Sequence, residues 1–82
     1  MSFKILHEKD WTYKLVKEQN SEKYFLEVVC GGVGMFELII QLTPDEVAKF
    51  LEGGEAYISS LALEISQNHT AYMNRKVEIE LA

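Results

Sequence analysis

Residues 36–46 read Phe36-Glu37-Leu38-Ile39-Ile40-Gln41-Leu42-Thr43-Pro44-Asp45-Glu46, an apolar strand running straight into the start of a helix. Thr43 is placed as an N-cap, because its hydroxyl can accept from backbone N–H groups that the first helical turn leaves unpaired. Pro44 takes the first helical position, where its missing N–H costs nothing. Glu46 stands three residues after Thr43, the spacing at which a carboxylate bonds back to the cap's own N–H. Asp45 and Glu46 also put negative charge at the positive end of the helix dipole.

Beyond this junction, Val47, Phe50, Leu51, Ile58, Leu61, Ala62 and Ile65 recur mostly at spacings of three and four, the signature of an amphipathic helix. Gly54 lies on the same stripe between Leu51 and Ile58. The phase therefore predicts one helix from Pro44 to about Gln67, roughly 36 Å long at 1.5 Å per residue. Each interior glycine costs about 1 kcal/mol against alanine, and close approach of helix to sheet is the return expected for Gly54. The competing reading is two helices broken at Gly53-Gly54. Asn68 suits a C-terminal stop.

Before the junction the chain reads as strands. Phe3 to Leu6 is a short one, followed by the polar turn His7-Glu8-Lys9-Asp10. Trp11 to Lys17 alternates at period two, with Trp11, Tyr13 and Leu15 facing inward. Glu18 to Glu22 is a polar turn cluster. Tyr24 to Cys30 is rich in aromatic and β-branched residues, with Tyr24, Leu26, Val28 and Cys30 inward. Gly31-Gly32-Val33-Gly34 returns the chain into the strand that places Phe36, Leu38, Ile40 and Leu42 inward. Short connections between consecutive strands favour an antiparallel meander. Val77 to Leu81 alternates cleanly and reads as a last, edge strand. The expectation is a single α+β domain over residues 1–82: an antiparallel β-meander of three to four strands, one long helix on a face, and a short C-terminal strand.

The 82 residues carry a net charge of −5, unevenly spread. Residues 1–42 hold five lysines against six acidic residues; residues 43–82 hold three basic against seven acidic. A helix side this acidic repels phosphate backbones and argues against nucleic-acid binding. It suits a basic protein partner, although acidity for solubility alone is the simpler account. The single cysteine excludes an internal disulfide and fits a reducing compartment. No apolar run approaches the ~20 residues of a membrane span, and the charged N-terminus does not read as a signal peptide. A cytoplasmic location with no membrane association is the expectation.

Strand parity leaves Val16, Phe25, Val29, Met35 and Ile39 on the outer face of the sheet. A contiguous apolar patch of this kind marks an interface, so these five are the candidate interface residues and a homodimer is expected. Two simpler outcomes are that the segment from Ala71 to Leu81 folds over the patch, or that charged residues split it. Leu63 lies opposite the apolar stripe of the helix and reads as a lone exposed leucine.

Catalytic and metal chemistry find little support. Cys30 falls on the inward parity of a strand, where cysteines are inert, and neither His7 nor His69 lies near it in sequence. The glycine-rich Gly31 to Gly34 leads into a strand, whereas phosphate loops lead into a helix. His7, Glu8, Asp10 and His69 lack metal-ligand spacing. Trp11, Tyr13, Tyr24 and Phe25 interleave with Lys14, Lys17 and Lys23, a mixture that serves single-stranded nucleic acid elsewhere, but Glu18, Glu22 and Glu27 balance those lysines. The functional expectation is a small non-enzymatic protein-interaction module without catalytic residues, metal or cofactor. One form of it is an acidic inhibitor or immunity-type protein that binds a basic partner. The alternative is a small-ligand-binding domain with a pocket between sheet and helix near Gly54, Tyr57 and Tyr24.

Overall fold

The computed structural model describes residues 3–30 and 36–78. Four strands, β1 (Phe3–Lys9), β2 (Tyr13–Glu18), β3 (Tyr24–Cys30) and β4 (Phe36–Gln41), form one antiparallel sheet in the order β1-β2-β3-β4. Helices α1 (Pro44–Gly53) and α2 (Glu55–Gln67) follow, then the single turn α3 (His69–Tyr72) and a 3-10 turn at Met73–Arg75. This is the expected α+β meander with four strands. Among the described residues no helix is long and apolar enough to cross a membrane.

Register explains the core. Leu15 pairs with Leu26 and Leu26 with Ile40; Tyr13 pairs with Val28 and Val28 with Leu38. These rows share one face, and Phe50 of α1 with Ile58, Leu61, Ala62 and Ile65 of α2 close over it. A shift in the β1–β2 register between Ile5 and His7 lets Leu6 join the core and brings His7 edge-on to Phe50.

The Thr43 cap forms as the sequence dictates. Thr43 Oγ1 accepts from Glu46 N at 3.1 Å, and Glu46 Oε1 accepts from Thr43 N at 2.9 Å. The long helix does not form. Gly54 has φ 68° and ψ −150°, a region that residues with a Cβ essentially do not enter. Its N–H still donates to the Phe50 carbonyl, and α2 starts afresh at Glu55. The expected close approach to the sheet is absent as well: a Cβ on Gly54 would meet no atom within 4 Å. Gly54 is there for its dihedrals, and Leu51, which the helical period put on the buried stripe, is 68% exposed.

The C-terminal strand is not formed in the described residues. Lys76 makes an isolated bridge to Ile40, and Val77 N donates to the Ile39 carbonyl at 2.9 Å, a single bridge and not a strand ladder. Val77 and Glu78 carry no strand, and residues 79–81 of that expectation lie outside the described residues.

Candidate protein-binding surface

The β1–β2 turn carries the largest departure from the sequence reading. Lys9 O accepts from Thr12 N at 3.0 Å, closing a four-residue turn with Trp11 third. Trp11 has φ 63°. Positive φ at that position is the type II pattern, which glycine normally fills. Trp11 therefore stands outside β2 and is 85% exposed, not inward as period two predicted. Alternation cannot separate the last residue of a turn from the first of a strand. The available signal was its neighbours, since Asp10 and Thr12 are turn residues.

Trp11 is held over the sheet end. Thr12 O accepts from Val29 N at 2.9 Å, so the turn is fastened to β3. Trp11 and Val29 border three adjoining grooves of about 370, 360 and 420 Å³. The first runs onto the outer sheet face past Glu27 and Glu37; the second faces Ser59, Leu63 and Ser66 of α2; the third reaches Phe36. Trp11, Leu63 and Phe36 are all exposed large apolar residues. Leu63 is thus exposed as expected, but it is not isolated, and Phe36 is less enclosed than its inward parity implied.

The five outer-face residues fare differently. Val16 is 0% and Phe25 6% exposed. They lie side by side in register with Ile5 between β1 and β3, and Phe3 packs edge-on against Phe25 at 5.7 Å. Val29 and Ile39 are half-buried, and Met35 lies outside the described residues. The Lys14–Glu27 pair crosses the face between Phe25 and Val29, so charge divides the apolar set. Of the five, Val29 is the one that joins the Trp11 surface.

Electrostatics around the outer groove are one-sided. Glu8, Asp10, Glu27 and Glu37 line it against Lys9 and Lys14, and Lys14 Nζ lies 3.7 Å from Glu8. Burial and then the charge of Glu37 push the Glu27 carboxyl above its ordinary pKa, against a smaller opposing effect of Lys14.

Cys30, Tyr13 and His7 are committed elsewhere, whereas among the described residues His69 Nδ1 is buried without a hydrogen-bond partner. Cys30 is buried, which raises its thiol pKa, and its Sγ sits 3.6 Å from the Val28 carbonyl. Tyr13 donates to Glu55 Oε2 at 2.9 Å, with His7 Nδ1 at 4.0 Å from the same oxygen. Burial foremost holds the Tyr13 hydroxyl above its ordinary pKa, so it is no base near neutrality. His69 packs edge-on to Phe36 at 5.2 Å. Among the described residues no three His, Cys, Asp or Glu side chains gather around a common ion position. In a groove of about 520 Å³ beside Tyr72 and Arg75, Tyr72 is paired with Glu64 and Arg75 with Glu46.

Comparison of the chain with protein-family models, with curated proteins and with solved structures gives no match. The functional reading therefore stands on geometry. An aromatic ring in open solvent, on a backbone conformation that costs about 1–3 kcal/mol, gives the fold nothing by burial. Residues held in such conformations cluster at functional sites, and tryptophan is enriched among the hot spots of protein interfaces.

Proposed function

We propose that this chain is a small non-enzymatic protein-interaction module whose binding surface is the Trp11 corner. The carrying observation is Trp11 itself, 85% exposed at φ 63° between grooves that also expose Phe36 and Leu63. One form of this function is an acidic inhibitor or immunity-type protein acting on a basic protein, favoured by the net charge of −5. A cytoplasmic site of action belongs to the same reading, supported by a lone, unpaired and buried cysteine. Self-association is the second form, resting on Val29, which is half-buried and borders the three Trp11 grooves described above. The small-ligand alternative loses support, because Tyr24 is buried against Phe50 instead of lining an opening.

Two measurements test the proposal. Random peptides displayed on phage are selected against the parent and against Trp11→Ala. Binders that the parent captures and the variant loses, with the circular dichroism of the two unchanged, support it. Binders indifferent to Trp11 sink it. Light scattering across a concentration range then reports self-association: a dimer broken by Trp11→Ala or Val29→Glu makes the partner a second copy.

A further inference from the structure

We propose that the groove between the Trp11 ring and the outer face of β3 and β4 receives an arginine side chain of a basic protein partner. This rests on the reading of the chain as a protein-interaction module and assigns the chemistry of what it binds.

The register builds the receptacle. Val29 lies opposite Glu37, and Glu27 lies two residues before Val29 on the same face of β3. The two carboxylates are therefore diagonal neighbours across one strand pair, roughly 7–8 Å apart in backbone position. The Thr12–Val29 hydrogen bond sets Trp11 beside them, and all four residues border one groove of about 370 Å³. Val29 gives an apolar floor, Trp11 an aromatic wall, and Glu27 and Glu37 an anionic rim.

A guanidinium matches each part. It stacks on an aromatic face by cation–π attraction while its edge donates in pairs to carboxylates. Its aliphatic stem covers apolar surface such as Val29. Lys9 and Lys14 also line the groove, so four carboxylates face two lysines there. Lys14 is drawn to Glu8 at 3.7 Å, and Glu27 still has its carboxyl pKa raised, by burial and then by Glu37. An arriving cation relieves that repulsion. A second copy of the chain is the poorer occupant, since it brings the same excess of carboxylates, and Arg75 is already engaged by Glu46.

The test uses the full chain and a defined probe. Trp11 is the sole tryptophan, so its emission reports the groove directly. The capped peptide Gly-Arg-Gly-Arg-Gly is titrated against the parent, beside the same peptide with citrulline for arginine. Citrulline keeps the shape and removes the charge. The expected result is a saturable change in Trp11 emission, with amide shifts at Glu27, Val29 and Glu37. Binding should be about tenfold weaker for the citrulline peptide and for the double variant Glu27→Gln/Glu37→Gln, and weaker at high salt. These substitutions relieve like-charge repulsion, so the variant keeps its fold. Equal binding of the two peptides, or unchanged binding to the double variant, overturns the arginine assignment and leaves a Trp11-centred module standing. An arginine peptide that binds another surface with Trp11 emission unmoved also overturns the arginine assignment, while the phage selection against Trp11→Ala decides the Trp11 surface separately.

Discussion

Arg75 donates to both carboxylate oxygens of Glu46, Nη2 to Oε1 at 2.6 Å and Nη1 to Oε2 at 3.1 Å. The same Nη2 donates to the Gln41 carbonyl at 3.0 Å. Glu46 is also the residue that closes the Thr43 capping box. One carboxylate thus fixes the start of α1 and anchors the C-terminal segment to the end of β4. The pair is largely enclosed, with side-chain exposures of 29% for Arg75 and 15% for Glu46. Arg75→Ala is expected to cost about 1.5–3 kcal/mol, the range for hydrogen bonds to charged groups. Urea denaturation measures the loss. A double-mutant cycle with Glu46→Gln should show strong coupling; additive losses would mean that the two act independently.

The same pair sets an acid limit. Burial opposes ionisation of Glu46, but the hydrogen bonds from Arg75 and Thr43 outweigh it and hold the carboxyl below its ordinary 4.5. The folded pKa lies below the unfolded one, so the unfolded chain binds protons first as pH falls. The stabilisation is whole above pH 4.5 and is lost as pH drops through the folded pKa. Stability followed by denaturation between neutral and acid pH should fall less steeply in Glu46→Gln than in the parent. Parallel profiles would refute the linkage.

The two adjacent glycines should respond differently to alanine. Gly54→Ala places a Cβ at φ 68° and is expected to destabilise by about 1–3 kcal/mol, although nothing crowds it. Gly53→Ala gains helix propensity of about 1 kcal/mol, offset by a contact at 3.3 Å with the Tyr57 Cβ, so its net effect should be small. Thermal melts of the two variants decide this. Equal destabilisation would remove the dihedral explanation for the break.

Trp11 should behave as a surface residue with a strained backbone. Its emission should be quenched freely by acrylamide in the folded protein and change little on unfolding. Trp11→Ala should alter stability by no more than about 0.5 kcal/mol. Trp11→Gly should match or exceed the parent, because glycine enters positive φ without strain. A marked loss of stability in Trp11→Ala would show that the ring supports the fold.

Phe25 and Val29 differ by burial, although both lie on the outer face. Phe25→Glu puts a carboxylate at a site 6% exposed and should cost about 3 kcal/mol or more. Val29→Glu meets a half-open site at the Trp11 grooves and should leave the protein folded. Circular dichroism and denaturant midpoints separate the two; similar losses would mean that the Val29 site does not tolerate a carboxylate opposite Glu37.

The local signals in this chain were legible because their causes are local. Thr43, Pro44 and Glu46 cap one helical turn from within four residues, and the cap formed as read. The alternation of β2, β3 and β4 set the inner face, and Tyr13, Leu15, Leu26, Val28, Leu38 and Ile40 are buried there. Helix phase misled at Gly54, because a hydrophobic period persists across a break that a single dihedral makes. Strand parity misled at Trp11 for a related reason, since a turn residue next to a strand keeps the strand's apolar rhythm.

By itself the sequence determined the α+β class, an antiparallel meander of three to four strands, the capped start of α1 and the acidic balance of the chain. Each is written in short-range pattern or composition. Tertiary structure alone decided that Trp11 stands in solvent beside Val29, Glu27 and Glu37, and that Arg75 reaches Glu46 across 29 residues of chain. Those relationships depend on strand register and on where the chain returns to the sheet. Both are settled by the packing of the whole core, which no neighbouring run of residues encodes.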